Sequence, residues 1–143
     1  MKSKSTEYSI SKNEAIALCK KNGLNISGNI TFSSRNKGTN TYWANPNIKY
    51  LNEDWWIIFN DNRKKELNVL FIPVNTIKES QILRRNDKPH QIDLQFNYDG
   101  NRTFFDSRSR LYFDQWYVKT IEYWKIIGNI WNQMINYMLK VEI

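Results

Sequence analysis

Two apolar runs separated by one polar link constrain this chain more than any other feature. Trp55, Trp56, Ile57, Ile58 and Phe59 form the first run, and Leu67, Val69, Leu70, Phe71 and Ile72 dominate the second. Short runs rich in β-branched and aromatic residues are what buried strands look like. Between them lie Asn60, Asp61, Asn62, Arg63, Lys64, Lys65 and Glu66, a turn-forming and strongly basic link. The pair is therefore expected at the centre of a single sheet, with its loop carrying a cationic cluster to the rim.

The chain has 143 residues, the length of one domain with one core. Its 41% hydrophobic and 15% aromatic content exceeds what a disordered chain carries, and 24% charged residues leave a wet surface. The expected organisation is a mobile basic tail over residues 1–10 and one α+β domain over 11–143. Cys19 is the only cysteine, so no internal disulfide can form, and no positively charged segment with an apolar core opens the sequence. A reducing bacterial cytoplasm is the expected compartment. No apolar run reaches the roughly 20 residues of a membrane span.

Ser11 and Glu14 match a capping box, so a helix is expected to start there, with Ala15, Ile16, Leu18 and Cys19 on its inner face and Asn22-Gly23 as its stop. Residues 30–33 and 41–43 read as a hairpin around the basic turn 35–40, closed off by Pro46. Thr76 and Glu79 match a second capping box and predict a short middle helix. Ile92, Leu94, Phe96 and Tyr98 alternate with polar residues, the pattern of a half-buried strand. Over residues 111–140 two apolar stripes at helical spacing, one holding Phe113, Tyr117, Ile121, Trp124, Trp131 and Met138, predict a long amphipathic C-terminal helix. Unbroken, it would be longer than a compact chain of this size is wide. A break at Gly128 with a fold-back of the second half is therefore expected, and a homodimer through this helix is the alternative to a monomer.

Catalytic chemistry is sparse. His90 is the only histidine and lies in a polar loop, and no paired-cysteine, Gly-x-Ser-x-Gly or phosphate-loop pattern occurs. No catalytic residue, metal ligand or cofactor is assigned, and the chain is read as a non-enzyme. Positive charge is the stronger signal: the formal net charge is +7. Arg35 with Lys37, Arg63 with Lys64 and Lys65, Arg84 and Arg85 with Lys88, and Arg108 with Arg110 all fall in expected loops or at element ends. Cations at such rims can neutralise phosphates and release counterions. These ten residues form the expected partner site, for a nucleic-acid backbone or an acidic protein face.

Residues 54–59 followed by Leu70, Phe71, Ile72 and Pro73 and then a short helix resemble the later sheet strands of restriction-endonuclease-like proteins of the PD-(D/E)xK class. That resemblance implies a helix before the first strands, and metal-binding carboxylates with a lysine on the strands preceding the pair. Between Glu14 and Glu53, however, there is no Asp or Glu. The family's catalytic residues therefore transfer to no position, and Asp93 with Gln95 is the nearest acid-x-lysine-like pair. What the resemblance implies is a degenerate nucleic-acid binder, with an active nuclease as a further alternative. In general build, a small basic protein lacking catalytic motifs, the chain also resembles phage-borne inhibitors of the anti-CRISPR type. That resemblance implies a non-enzymatic inhibitor of a bacterial defence nuclease that occludes a protein or guide-RNA surface.

Overall fold

The central pair forms as its sequence dictates. In the computed structural model, which describes residues 9–123, 133–137 and 139, strand β3 (Trp55–Asp61) and strand β4 (Glu66–Ile72) pair antiparallel in register from Trp55 opposite Ile72 to Asp61 opposite Glu66. Strand β1 (Asn29–Ser34) lies parallel to β3 on one side. The helix α1 (Lys12–Lys21) precedes β1, and the crossover that a parallel neighbour demands is made by residues 35–54, which include a 3-10 turn (Ile48–Asn52). On the other side of β4 runs β8 (Tyr117–Glu122), completing a four-stranded sheet in the order β1-β3-β4-β8.

The class is α+β, but the single sheet expected from the sequence is two. Strands β2 (Thr41–Ala44), β5 (Leu94–Asn97), β6 (Phe105–Asp106) and β7 (Leu111–Tyr112) make a second, antiparallel sheet in that order. The expected hairpin of residues 30–43 is thereby corrected. Its first arm pairs with β3 and its second with β5, so the loop 35–40 passes from one sheet to the other.

Three layers result. Trp55, Ile57, Phe59, Leu70 and Ile72 pack with Tyr42, Leu94, Phe96 and Phe113 between the two sheets. Ile58, Leu67 and Val69 point the other way and pack with Ala15 and Cys19 of α1, Ile26, Ile121 and Tyr123. Each fully buried Leu, Ile, Val or Phe among them contributes about 1.5–3 kcal/mol. Two buried polar pairs tie the layers together: the Trp55 indole donates to Thr31 Oγ1 at 2.8 Å, and Tyr123 Oη donates to Asn60 Oδ1 at 2.8 Å.

The start of α1 follows its sequence signature. Ser11 Oγ accepts from Glu14 N and Glu14 Oε1 accepts from Ser11 N, both at 3.2 Å, and Gly23 takes φ +85° just past the helix. The second capping signal yields less. Residues Glu79–Gln81 form one 3-10 turn capped by Lys78 and Gln81, not a helix, because Ile77 is drawn into the core and the chain then extends.

The long C-terminal helix is not formed. Residues 111–123 instead run through β7, a 3-10 turn (Asp114–Trp116) and β8. Packing supplies the reason: Phe113 belongs to the core between the sheets, whereas Ile121 and Tyr123 belong to the core under α1. A helix presents one stripe to one neighbour, so a segment that feeds two cores on opposite sides of a sheet has to cross its edge extended. Residues 133–137 are helical, with Met134 and Tyr137 exposed. The expected break at Gly128, the fold-back through Trp131 and Met138, and most of the expected tail 1–10 lie outside the described residues.

Burial of Cys19 against sheet residues pushes its thiol from the ordinary 9.0 up to about 11. Folding thus keeps this thiol protonated. Its contribution to stability is complete below pH 9 and is lost as pH rises through 11, an effect on the order of 2 kcal/mol by that pH. Urea unfolding of Cys19→Ala should accordingly show a shallower fall in stability between pH 9 and 11 than the parent chain, and equal slopes would mean that the thiol is solvated.

Candidate binding surface

The turn between β3 and β4 is built by Asp61. Its carboxylate Oδ1 accepts from the backbone N–H of Arg63 at 3.2 Å and of Lys64 at 3.1 Å, and Lys65 closes the turn at φ +56°. The same buried carboxylate meets Arg35 Nη1 at 3.3 Å, with the two side chains 1% and 8% exposed. Arg35 Nε donates to Asn40 Oδ1 at 2.6 Å, and its guanidinium lies 3.4 Å from the centre of the Tyr98 ring. Stacking on an aromatic face and donating in a planar fork are what arginine, unlike lysine, can do together.

Three loops meet around this pair. Arg63 Nη2 donates to the Lys37 carbonyl at 3.2 Å, which joins the β3–β4 turn to the loop 35–40. Lys64 stands 5.7 Å from the Tyr98 ring centre, and a hydrogen bond with the Tyr98 side chain raises its ammonium above the ordinary value. Arg102, beyond β5, reaches Glu66 at 3.4 Å. Of the ten basic residues singled out from sequence, Arg35, Lys37, Arg63, Lys64 and Lys65 therefore share this rim. Arg35 is spent on the interior and cannot meet a partner. Arg63 and Lys64 are exposed.

The other five lie at the opposite end of the second sheet. The β5 register places Asn97 beside Thr41 at the first rim and Leu94 beside Ala44 at the far end. At that far end Arg84 pairs with Glu79, and Arg85 reaches Asp87 at 2.8 Å, holding that carboxyl below its usual range. Lys88 is exposed beside them. Arg108, 3.7 Å from Asp93, and the exposed Arg110 sit on the β6–β7 turn. Asp106 organises this turn as Asp61 organises the first. Buried completely, it accepts from the N–H groups of Gln95, Arg108 and Ser109 at 2.9, 3.3 and 3.0 Å and from the Ser109 hydroxyl. The ten cations thus make two clusters, not one.

A cavity of about 20 Å³ opens at the first rim, lined by Tyr42, Asp61, Lys64, Glu66, Tyr98 and Arg102 among others. It has room for a water molecule and not for a nucleotide or organic cofactor. Burial, reinforced by the Asp61 charge, pushes the Tyr42 hydroxyl well above its ordinary value, and that hydroxyl has no partner among the described residues. No group of three His, Cys, Asp or Glu side chains among the described residues could hold a metal ion, and no described helix is long and apolar enough to cross a membrane. Asp61, Asp106, Tyr98 and Tyr42 were not marked by the sequence reading. For Asp61 and Asp106 a signal exists: each stands two or three residues before a cation in a turn, the spacing of an Asx turn.

Asp61→Asn keeps an acceptor for the two turn amides but leaves Arg35 as a buried, uncompensated charge. Its expected cost is about 3 kcal/mol in urea unfolding, and a loss below about 1 kcal/mol, the worth of an exposed pair, would mean that water already compensates Arg35. Compared with known protein families, curated proteins and solved structures, the chain matches none of them.

Proposed function

We propose that this chain is a non-enzymatic binding protein that covers a polyanionic surface, and that it serves as a phage or mobile-element inhibitor of a bacterial defence nuclease, in the manner of anti-CRISPR proteins. The observation that carries the reading is the first rim, where Arg63 and Lys64 are exposed on a turn fixed by a buried carboxylate. Cations held in place lose less entropy on meeting phosphates or carboxylates than cations on mobile loops. The net charge of +7 adds long-range attraction to the same class of partner. Occlusion needs contact and no chemistry, which suits a surface whose buried carboxylates are committed to turns. The inhibitor would act as a monomer in the cytoplasm of the bacterial host, on a guide-RNA or DNA backbone or on an acidic protein face.

The reading is tested by charge reversal at matched net charge. Arg63→Glu with Lys64→Glu should elute from a heparin column at clearly lower salt than Lys12→Glu with Lys49→Glu, and should lose inhibition of guide-RNA-loaded bacterial nucleases in a target-cleavage assay. Equal elution would reduce the rim to general charge. Plasmid, single-stranded DNA and RNA incubated with the protein in Mg²⁺ or Mn²⁺ should stay intact, whereas nicking abolished by one Asp substitution would overturn the non-enzymatic assignment.

A further inference from the structure

The second sheet has an outer face that the core does not use. Tyr42, Ala44, Leu94, Phe96 and Leu111 point inward. Alternation therefore sends Trp43, Gln95, Asn97, Phe105 and Tyr112 outward. The register lays them out as a band: Trp43 is opposite Gln95, and Phe105 is opposite Tyr112. Trp43 is 51% and Tyr112 55% exposed, unusual for large aromatic side chains. Their positions are also fixed. The Trp43 indole donates to Thr41 Oγ1 on the same face, and Tyr112 rests on Phe105 with ring centres 4.7 Å apart.

We infer that this face binds single-stranded nucleic acid, with bases stacked on Trp43 and Tyr112. The inference rests on the binding reading above and names its ligand for a second surface. Three observations converge on that chemistry. The two exposed rings stand three strand spacings apart, about 14 Å at 4.8 Å per step, and two residues apart along the strand direction, so they can engage different bases of one strand. Between them Gln95 and Asn97 present carboxamides with no side-chain partner among the described residues, groups able to donate to and accept from base edges. Arg108 and Arg110 border the face on the β6–β7 turn, where they can meet phosphates while Asp106 holds the turn. The same alternation places Asp93 and Asp99 at the two ends of the band; Arg108 lies against Asp93, and Asp99 accepts from the Asn101 N–H and the Thr103 hydroxyl. A stacked duplex offers no free base faces, so single strands are the form this surface selects.

The test uses the full chain and a fluorescein-labelled fifteen-nucleotide oligothymidine, read by anisotropy, with a fifteen-base-pair duplex alongside. The expected result is tighter binding of the single strand, at least a fivefold loss of affinity for Trp43→Ala and for Tyr112→Ala, and retention in Trp43→Phe and Tyr112→Phe. Because Trp43 shields Thr41, its alanine variant could lose stability; Tyr112, on a strand edge, carries the same test independently. Equal affinity for duplex and single strand, insensitive to both aromatic changes but lost in the Arg63→Glu, Lys64→Glu variant, would overturn this inference and leave the polyanion-covering rim standing. Nucleic-acid binding absent altogether, with nuclease inhibition intact, would overturn it too and assign the protein to an acidic protein partner.

Discussion

Strands β3 and β4 are buried on both faces, and the remainder of the molecule is arranged to supply the two covers. Trp55, Ile57 and Phe59 need one layer, and Ile58, Leu67 and Val69 need another. A chain of 143 residues has little apolar material to spare. Helix α1 with Ile26, Ile121 and Tyr123 closes one side, and the second sheet closes the other. Phe59 shows how tightly the second cover fits, with Tyr42, Phe96 and Phe104 at ring distances of 4.9, 4.8 and 5.1 Å. Aromatic contacts of this kind add about 0.5–1.5 kcal/mol each beyond area burial. With both faces committed, the exposed surface includes the loop rims and the outer face of the second sheet.

What was legible in the sequence follows the same division. The central pair, the start and stop of α1 and the strand at Leu94 were readable because each is a local pattern whose environment agrees with it. The end of β2 before Asn45 and Pro46 was readable for the same reason, since proline removes a ladder donor wherever it stands. The second sheet was not readable, because nothing near Ser34 or Thr41 records that the two segments choose different partners. That choice depends on residues 94–97, more than fifty positions later.

The C-terminal misreading has a more specific cause. Residues 111–123 carry aromatic and apolar residues so densely that a helical stripe can be drawn through almost any such stretch. Local composition pointed the other way, since Tyr117, Val118, Thr120 and Ile121 are all strand formers. Pairing of β8 with β4 decides the matter by covering the edge of Leu67 and Val69. Of the candidate site, the cations were visible as residue types, but their sorting into two clusters was not. Arg35 looked like surface charge because sequence does not show Asp61 and Tyr98 waiting for it.

Three of the cationic residues occupy backbone positions that side chains ordinarily avoid. Lys65, Arg102 and Arg110 have φ of 56°, 57° and 64°, and all three lie at loop or turn positions around the two basic clusters. Asn40 and Asn75, at 57° and 59°, are the residue type that tolerates this region, and glycine would enter it without penalty. A long side chain there costs about 1 kcal/mol or more. In the turns that hold Lys65 and Arg110, Asp61 and Asp106 offset that strain by accepting neighbouring turn amides, four of them between Arg63, Lys64, Arg108 and Ser109. Each turn therefore combines a strained cation with a buried anion that stabilises the strain. Replacing the cation by glycine would relax the turn but remove its charge, so stability and charge oppose one another at these positions.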